Sequence, residues 1–539
     1  MHKTQIQLIT QIIHATHRVL QDTSHALNRR LKINRYLFKR LDALTRRRRA
    51  RRRRDSRSID GRIAAASLTA IMVAVLAGCA SGNGMQPSRL PLDPGALDSG
   101  KEIAEFQRSA QPNVALPIWW QAFGDAQLDA LMEQATQDAP SIQIAESRLR
   151  QAEAAGAVAA ASLLPTVDGT ASVSANRFPG HDTYSARYAD NTGSRGAIGL
   201  DLRYHVDFWG KWREAADAAR FRAESAGFEA ADAKLVLQTA LAAAYLKLDA
   251  AYRLRDVAAQ GLSRREDVLK RLALRIHAGL STDLNAIEAR DAATQTRADI
   301  ARYDADIARR RHEIAALLGK TPAFADQLRR PDIRSLADPA PVSNVTAMLL
   351  GFRPDVAARR EAVEAAAHEI GVARAAFYPD VDLVAFAGMQ SLGIGYLLRA
   401  SSTAANLGPA VTLPIFEGGR LRANLKGKVA EYDAAVSAYH AAIAVALQQV
   451  ADGVATVKAA RVLQQQAMAA ERHRAHVVDL QRARQRSGLS DAGDLLAAET
   501  ASLMSRRRVT ETDADVADAQ VSLIRALGGA WTPSLATIH

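Results

Sequence analysis

Two short stretches of this chain alternate with a period of two. In residues 166–176, Val167, Gly169, Ala171, Val173 and Ala175 fall on one side, and Asp168, Thr170, Ser172, Ser174 and Asn176 on the other. In residues 200–208 the split is sharper: Leu200, Leu202, Tyr204, Val206 and Phe208 oppose Asp201, Arg203, His205 and Asp207. Successive side chains of a strand point to opposite faces, so both stretches predict strands with one apolar face and one facing water. Such strands suit either a sheet half in lipid or a soluble antiparallel sheet with one solvated face.

A different period governs residues 213–277. The span has no proline, and its only glycines are Gly227 and Gly261. Leu237, Leu241, Ala244, Leu248 and Ala251 step by four and three, which lays an apolar seam along one helix face. At ~1.5 Å per residue, this is a helix of about 95 Å. A helix of that length cannot bury itself in a compact monomer and calls for a bundle or a tube.

The pattern then recurs. Pro140 opens an Ala-rich helix that runs to Leu164-Pro165-Thr166-Val167. Pro354 opens another that runs to Tyr378-Pro379-Asp380-Val381, 214 residues later at both ends. Phe208-Trp209-Gly210-Lys211 matches Phe416-Glu417-Gly418-Gly419 at an offset of 208. Ala278-Gly279-Leu280-Ser281 matches Ser487-Gly488-Leu489-Ser490, and Leu317-Leu318-Gly319 matches Ala526-Leu527-Gly528, both at 209. Anchors in the same order twice over mark a duplication, each copy reading helix, two strands, long helix, turn, helix. Four strands separated by so much helix leave two open sheet edges, a liability in water and untenable in lipid. The edges vanish only when several chains share one closed barrel, of eight strands from two chains or twelve from three.

Charge changes the picture at the N-terminus. The chain carries net +13, a balance that suggests a nucleic-acid binder. Residues 1–62 hold 18 Lys and Arg against four Asp, or +14, and residues 63–78 hold no charge. The whole-chain +13 less that +14 leaves −1 for residues 79–539, which gives nucleic-acid binding no electrostatic footing. The basic block precedes an apolar run, 63–78, that is shorter than the ~20 residues of a spanning helix and has the length of a signal-peptide core. An uncut membrane anchor is the alternative. The run closes on Leu76-Ala77-Gly78-Cys79, which resembles a lipobox, and Cys79 is the only cysteine in the chain. The reading predicts cleavage before Cys79, acylation of that new N-terminal cysteine, no intramolecular disulfide, and no cofactor beyond that lipid.

The expected organisation is a basic extension and lipoprotein signal peptide at 1–78 and an acylated tether at 79–115. A first repeat at 116–319 and a connection at 320–350 follow, then a second repeat at 351–530 and a tail at 531–539. Nothing reads as an enzyme. His312-Glu313 and His368-Glu369 start a zinc-protease pattern, but Ala316 and Val372 stand where its second histidine belongs. His473 and His476 lie three apart without carboxylates at a partner spacing. No phosphate loop or Gly-Xaa-Ser-Xaa-Gly elbow is present, so neither a catalytic nor a metal site is expected.

Several motifs occur in a fixed order. They are the lipobox, Trp119-Trp120 through Leu131, Leu164-Pro165, and Tyr204-His205-Val206-Asp207-Phe208-Trp209-Gly210-Lys211. Arg353-Pro354-Asp355-Val356, Phe377-Tyr378-Pro379 and Leu413-Pro414-Ile415-Phe416-Glu417-Gly418-Gly419-Arg420 follow. With them the chain resembles the TolC-like outer-membrane factor family, in its NodT-like lipoprotein branch that serves RND-type efflux pumps, over about residues 76–530. The resemblance implies an α+β membrane protein whose long α-helical coiled coils build a periplasmic tunnel. It also implies four transmembrane strands per chain in a homotrimer's 12-stranded outer-membrane barrel. The function implied is a passive duct that exports drugs or small toxic compounds with a periplasmic adaptor and an inner-membrane transporter. A type I protein-secretion duct shares the fold, and an anchored coiled-coil envelope scaffold is the alternative of a different class. Ala80, beside Cys79, agrees with an outer-membrane destination.

The resemblance also assigns residues. Gly279, Leu280, Ser281 and Gly488, Leu489, Ser490 would form the helix tips that meet the adaptor. Asp491, Asp494 and Glu499 are the gate candidates, Asp494 first, because three acids around a narrow axis would crowd like charges and attract cations. Leu495-Leu496 fall where the family has a Leu pair, and Ala497 stands where some relatives carry an acid. Asp201, Arg203, His205 and Asp207 would line the water-filled barrel.

Overall fold

The computed structural model describes residues 85–92, 100–109, 118–179, 181, 190–279, 282–333, 353–490 and 492–529. All of them lie in Gly82–His539, one of two units into which the chain divides. Cys79, Leu280, Ser281 and Asp491 lie outside the described residues, as do 334–350 of the expected connection.

Helix α1 (Gly100–Ser109), a 3-10 turn at Trp119–Phe123 and α2 (Ala126–Asp138) precede the repeats. The first repeat is α3 (Pro140–Ala161), β1 (Thr166–Arg177), β2 (Thr192–His205), α4 (Lys211–His277) and α5 (Asp283–Leu317). The second is α6 (Pro354–Ala375), β3 (Asp380–Leu392), β4 (Thr403–Thr412), α7 (Arg420–Arg486) and α8 (Ala492–Ala526). Matching helices have equal lengths of 22, 67 and 35 residues. Pro140 and Pro354 open α3 and α6, where a missing N–H costs no helical bond. Gly210 and Gly419, at φ 76° and 87°, turn the chain from strand into long helix through a left-handed conformation open to glycine.

At ~1.5 Å per residue the two long helices are each about 100 Å in length. The expected seam of α4 is buried throughout: Leu237, Leu241, Ala244, Leu248 and Ala251 pack with Leu128, Leu131 and Met132 of α2, Ile314 of α5 and Val521 of α8. Tyr245 sits inside this cluster with its hydroxyl donating to Asp125 Oδ2 at 2.7 Å, while Gln127 Nε2 donates to the same hydroxyl at 2.8 Å. Burial, reinforced by the Asp125 carboxylate, pushes the Tyr245 hydroxyl pKa far up, so it stays a donor. Asp125 also caps α2, accepting from Gln127 N at 2.8 Å. One carboxylate thus ties the N-terminal segment to the middle of the long helix. A second cluster joins Val356, Val363 and Ile370 of α6 to Leu425, Val436, Tyr439 and Ile443 of α7. Part of α7 is apolar enough to cross a membrane by length and composition, but in this fold that helix packs against α6 and α8.

The sheet has the order β1-β2-β3-β4, all antiparallel. Its central pairing joins the two repeats, with Arg203 opposite Val384 and His205 opposite Asp382. Among the described residues, the outer edges of β1 and β4 have no strand partner. The second strand differs from the expected 200–208. It begins at Thr192, in a stretch whose alternation Gly193, Gly196 and Gly199 hide, and it ends at His205. Asp207 has left the strand. Its carboxylate accepts from Arg213 N at 2.9 Å and Trp212 N at 3.3 Å and pairs with the Arg213 side chain. The expectation that Asp207 lines the barrel is therefore corrected: it holds the first turn of α4, where free N–H groups attract an acid.

Candidate functional site

The strand register sorts side chains onto two faces. Val167, Leu202, Ala385 and Leu407 align across all four strands, as do Gly169, Leu200, Ala387 and Ala405. Val167, Leu200 and Leu407 on this apolar face are exposed. The opposite face carries Thr166, Arg203 and Val384 in one row and Asp168, Asp201, Phe386 and Asn406 in another. Asp201 accepts from the Thr170 hydroxyl at 2.7 Å, and Arg203 is exposed. This face is not uniformly polar. Phe386 lies over Gly199, where a Cβ would come within 2.6 Å of its ring, so the glycine makes room for the aromatic.

Asp201, Arg203 and His205 stand where the alternation placed them, on the polar face. At its helix end a compact cluster forms. His205 Nδ1 is 2.5 Å from Asp382 Oδ1, and Lys211 Nζ donates to Asp380 Oδ2 at 2.8 Å. Trp212 packs its ring 4.7 Å from that of His205, and Lys211 sits 4.6 Å from the centre of the Trp212 ring. His205, Asp380 and Asp382 each offer a ligand atom, all within 4.8 Å of one another. Next to the cluster, Trp209 stacks on Tyr378 at 4.7 Å and donates Nε1–H to the Pro379 carbonyl at 3.0 Å. Phe208, Trp209, Ile415 and Phe416 leave an apolar and aromatic rim exposed where the sheet meets the long helices, with Ile415 and Phe416 each 89% accessible.

Sequence reasoning missed Asp380, Asp382 and the part played by Lys211 and Trp212. A signal existed in Asp380-Val381-Asp382, an acid pair two residues apart, but its partner on β2 lies some 175 residues away. Only the strand register brings them together.

At the far ends of the long helices, Gly279 and Gly488 adopt φ 68° and 73° in open space. Gly488 N donates to Gln485 O and Leu489 N to Arg484 O, the paired bonds that close a helix at a left-handed residue. Leu489 projects into solvent, and Ser490 is half-buried. Of the gate candidates, Asp494 is exposed on the first turn of α8. Glu499 is only 12% accessible and is held by Arg482 of α7 at 2.9 Å, which makes it a tie between the two helices. Leu495 packs inward with Val478 and Ala498.

The His368-Glu369 pair has structural partners. His368 meets Glu214 at 2.7 Å, and Glu369 binds Arg222 and Lys428. The tether is clasped to α7 at residues 85–92. Ser88 gives both its N–H and its hydroxyl to Asp433, and Leu92 N donates to His440 Nε2 at 3.0 Å. The Ser88 hydroxyl, with the backbone donors beside it, holds the Asp433 carboxyl below its usual range.

The paired open edges, the two-faced sheet and the duplicated long helices define a membrane-channel fold, and comparison with known proteins agrees. The family described as outer membrane efflux protein matches residues 131–320 and 346–529, and the chain belongs to that family. It is 36% identical to the fusaric acid resistance protein FusA of Burkholderia cepacia, over 65% of this chain and 66% of that protein. It is 27% identical to the multidrug resistance outer membrane protein MdtQ of Escherichia coli O6:H1, over 80% of this chain and 94% of that protein. The solved structure of the outer membrane protein VceC of Vibrio cholerae superposes with a TM-score of 0.71 at 32% identity, covering 77% of this chain and 99% of VceC.

Proposed function

We propose that this chain is one protomer of a homotrimeric outer-membrane duct in a tripartite efflux pump of RND type, exporting drugs or small toxic compounds. The observation that carries the reading is the four-stranded sheet with an apolar face, a polar face and two unpaired edges. In lipid an open edge leaves a row of unsatisfied backbone groups, each costing several kcal/mol. Three copies joined β1 to β4 satisfy every edge and enclose the polar face in twelve strands. The long helices continue the same tube into the periplasm, and the exposed aromatic rim suits the boundary between hydrocarbon and water. The relatives named for drug resistance support the cargo class.

In this reading Cys79 carries the lipid, and the clasped tether runs alongside α7. The turns at Gly279 and Gly488, with Leu280, Ser281, Leu489 and Ser490, meet the periplasmic adaptor. Asp494 with Asp491 narrows the entrance electrostatically, while Glu499 fastens α8 to α7. The duct consumes no fuel; opening requires the tip helices to separate, and the inner-membrane transporter sets the choice of compound.

Membrane fractionation with native mass spectrometry of the solubilised protein tests the core of this. A heat-sensitive trimer in the outer membrane is expected, and a monomer in the inner membrane overturns the duct. Cys79→Ser should abolish fatty-acid labelling and leave trimers intact. Asp494→Ala should raise single-channel conductance or weaken cation block in planar bilayers.

A further inference from the structure

The cluster at the end of β2 has a chemistry that the duct does not require. His205, Asp380 and Asp382 share the polar face of one sheet. The β2–β3 register sets His205 opposite Asp382, and the two-residue step along β3 returns Asp380 to the same side. Backbone hydrogen bonds fix these positions, so the three side chains converge without a loop having to order itself. The His205 ring is further held by Trp212 at 4.7 Å. All three side chains are partly accessible.

The geometry points to a divalent transition-metal site formed by His205, Asp380 and Asp382, in which Lys211 is the resident cation that a metal displaces. An ion bound at ~2.0–2.2 Å by nitrogen and oxygen sets its ligand atoms about 3.4 Å apart in a tetrahedron. The present spacings bracket that value: 2.5 Å between His205 Nδ1 and Asp382 Oδ1, and no more than 4.8 Å across the set. Small side-chain rotations suffice. One imidazole and two carboxylates suit zinc, cobalt, nickel or copper ions, since magnesium and calcium favour all-oxygen shells. The three protein ligands leave one position for water or a passing molecule.

Lys211 makes the site exchangeable. Its ammonium neutralises Asp380 at 2.8 Å and leans on the Trp212 ring at 4.6 Å, where it has a second place to rest when a metal takes the carboxylate. Two carboxylates and one ammonium leave the site net negative, and a bound dication makes it net positive. Within the proposed duct this would reverse the wall charge where barrel meets tunnel. That consequence rests on the duct reading, whereas metal binding by one sheet does not.

Trp212 supplies the readout. Untagged, detergent-solubilised full-length protein is titrated with Ni²⁺ or Cu²⁺ while tryptophan fluorescence is followed, because both ions quench a ring in contact with a ligating histidine. Saturable quenching is expected, and Trp212→Phe should remove it while the other tryptophans remain. His205→Ala and Asp382→Asn should each weaken binding by more than about tenfold. Lys211→Ala keeps every ligand and removes the competitor, so it should bind more tightly. That arm stands even if a ligand variant fails to assemble. Quenching that is unchanged in His205→Ala, which would locate the metal at exposed histidines such as His473 and His476, overturns the site. Affinity unaltered in Lys211→Ala, or no saturable quenching below about 1 mM, a level of only ~4 kcal/mol, does the same.

Discussion

The two repeats share helix lengths to the residue, yet they close the same junction with different chemistry. In the first, the turn after α5 presses Gly319 against Pro140 at the head of α3, at φ 69° and with no room for a Cβ. Buried Ala139 and Leu318 complete a dry contact. In the second, the head of α6 carries Arg353, whose guanidinium is 7% accessible. It donates to the Ala526 carbonyl at 3.0 Å, to Gln449 at 2.9 Å and to both oxygens of Asp355. The corners between strand and helix differ as well. The first is tied by Asp207, Trp209 and Lys211, and the second projects Ile415 and Phe416 into solvent. A duplicated backbone therefore does not demand duplicated interactions; it needs each end satisfied by some means.

The largest effect is expected at Gly319. In Gly319→Ala a left-handed alanine costs about 1–2 kcal/mol and the overlap with Pro140 about as much again, for a total of about 2–4 kcal/mol, read as lowered thermal stability by far-UV circular dichroism. Gly279→Ala at the open tip should incur the first cost alone. Equal losses at Gly319 and Gly279 would show that Pro140 yields freely. Arg353→Met attacks the other junction. It strands the buried Ala526 carbonyl and leaves the partly accessible Asp355 carboxylate to water, and should cost about 1–3 kcal/mol by the same measurement.

Acid should separate the repeats further. Burial raises the Asp355 pKa, but hydrogen bonds from Arg353 outweigh it and hold the carboxyl below its usual range near 4. A depressed folded value means the stabilisation is present above about pH 4 and is lost as pH falls through the folded value. Melting temperature should drop across that window in the wild type, and Asp355→Asn should flatten this part of the profile. The smallest effects concern the corners. Asp207→Ala should lose about 1 kcal/mol of helix capping. Glu417→Ala, at the exposed counterpart, should leave the melting curve unchanged.

Much of this architecture was legible in the residues. The seam of α4, the 209-residue offset and the strand read at 166–176, which runs on to Arg177, followed from pattern, because steps of three and four lay side chains on one helix face and a step of two lays them on one strand face. The second strand was half read. Its upstream part is rich in glycine, which displays no pattern: Gly199 makes room for Phe386 and Gly196 lies against Leu397. Asp207 continued the alternation on paper, yet the free N–H groups of α4 claimed it. Glu499 looked like a gate acid and was claimed by Arg482, which no local pattern foretold.

Local periodicity and the duplication, then, determined the elements, their order and the two faces of the sheet, since these depend on residues within a few positions of one another. Long-range packing set which polar groups meet. Helices and strands that lie far apart in the chain bring His205 to Asp382, Lys211 to Asp380, and Arg353 to Ala526, and contact energies fall off over a few ångströms whatever the sequence separation.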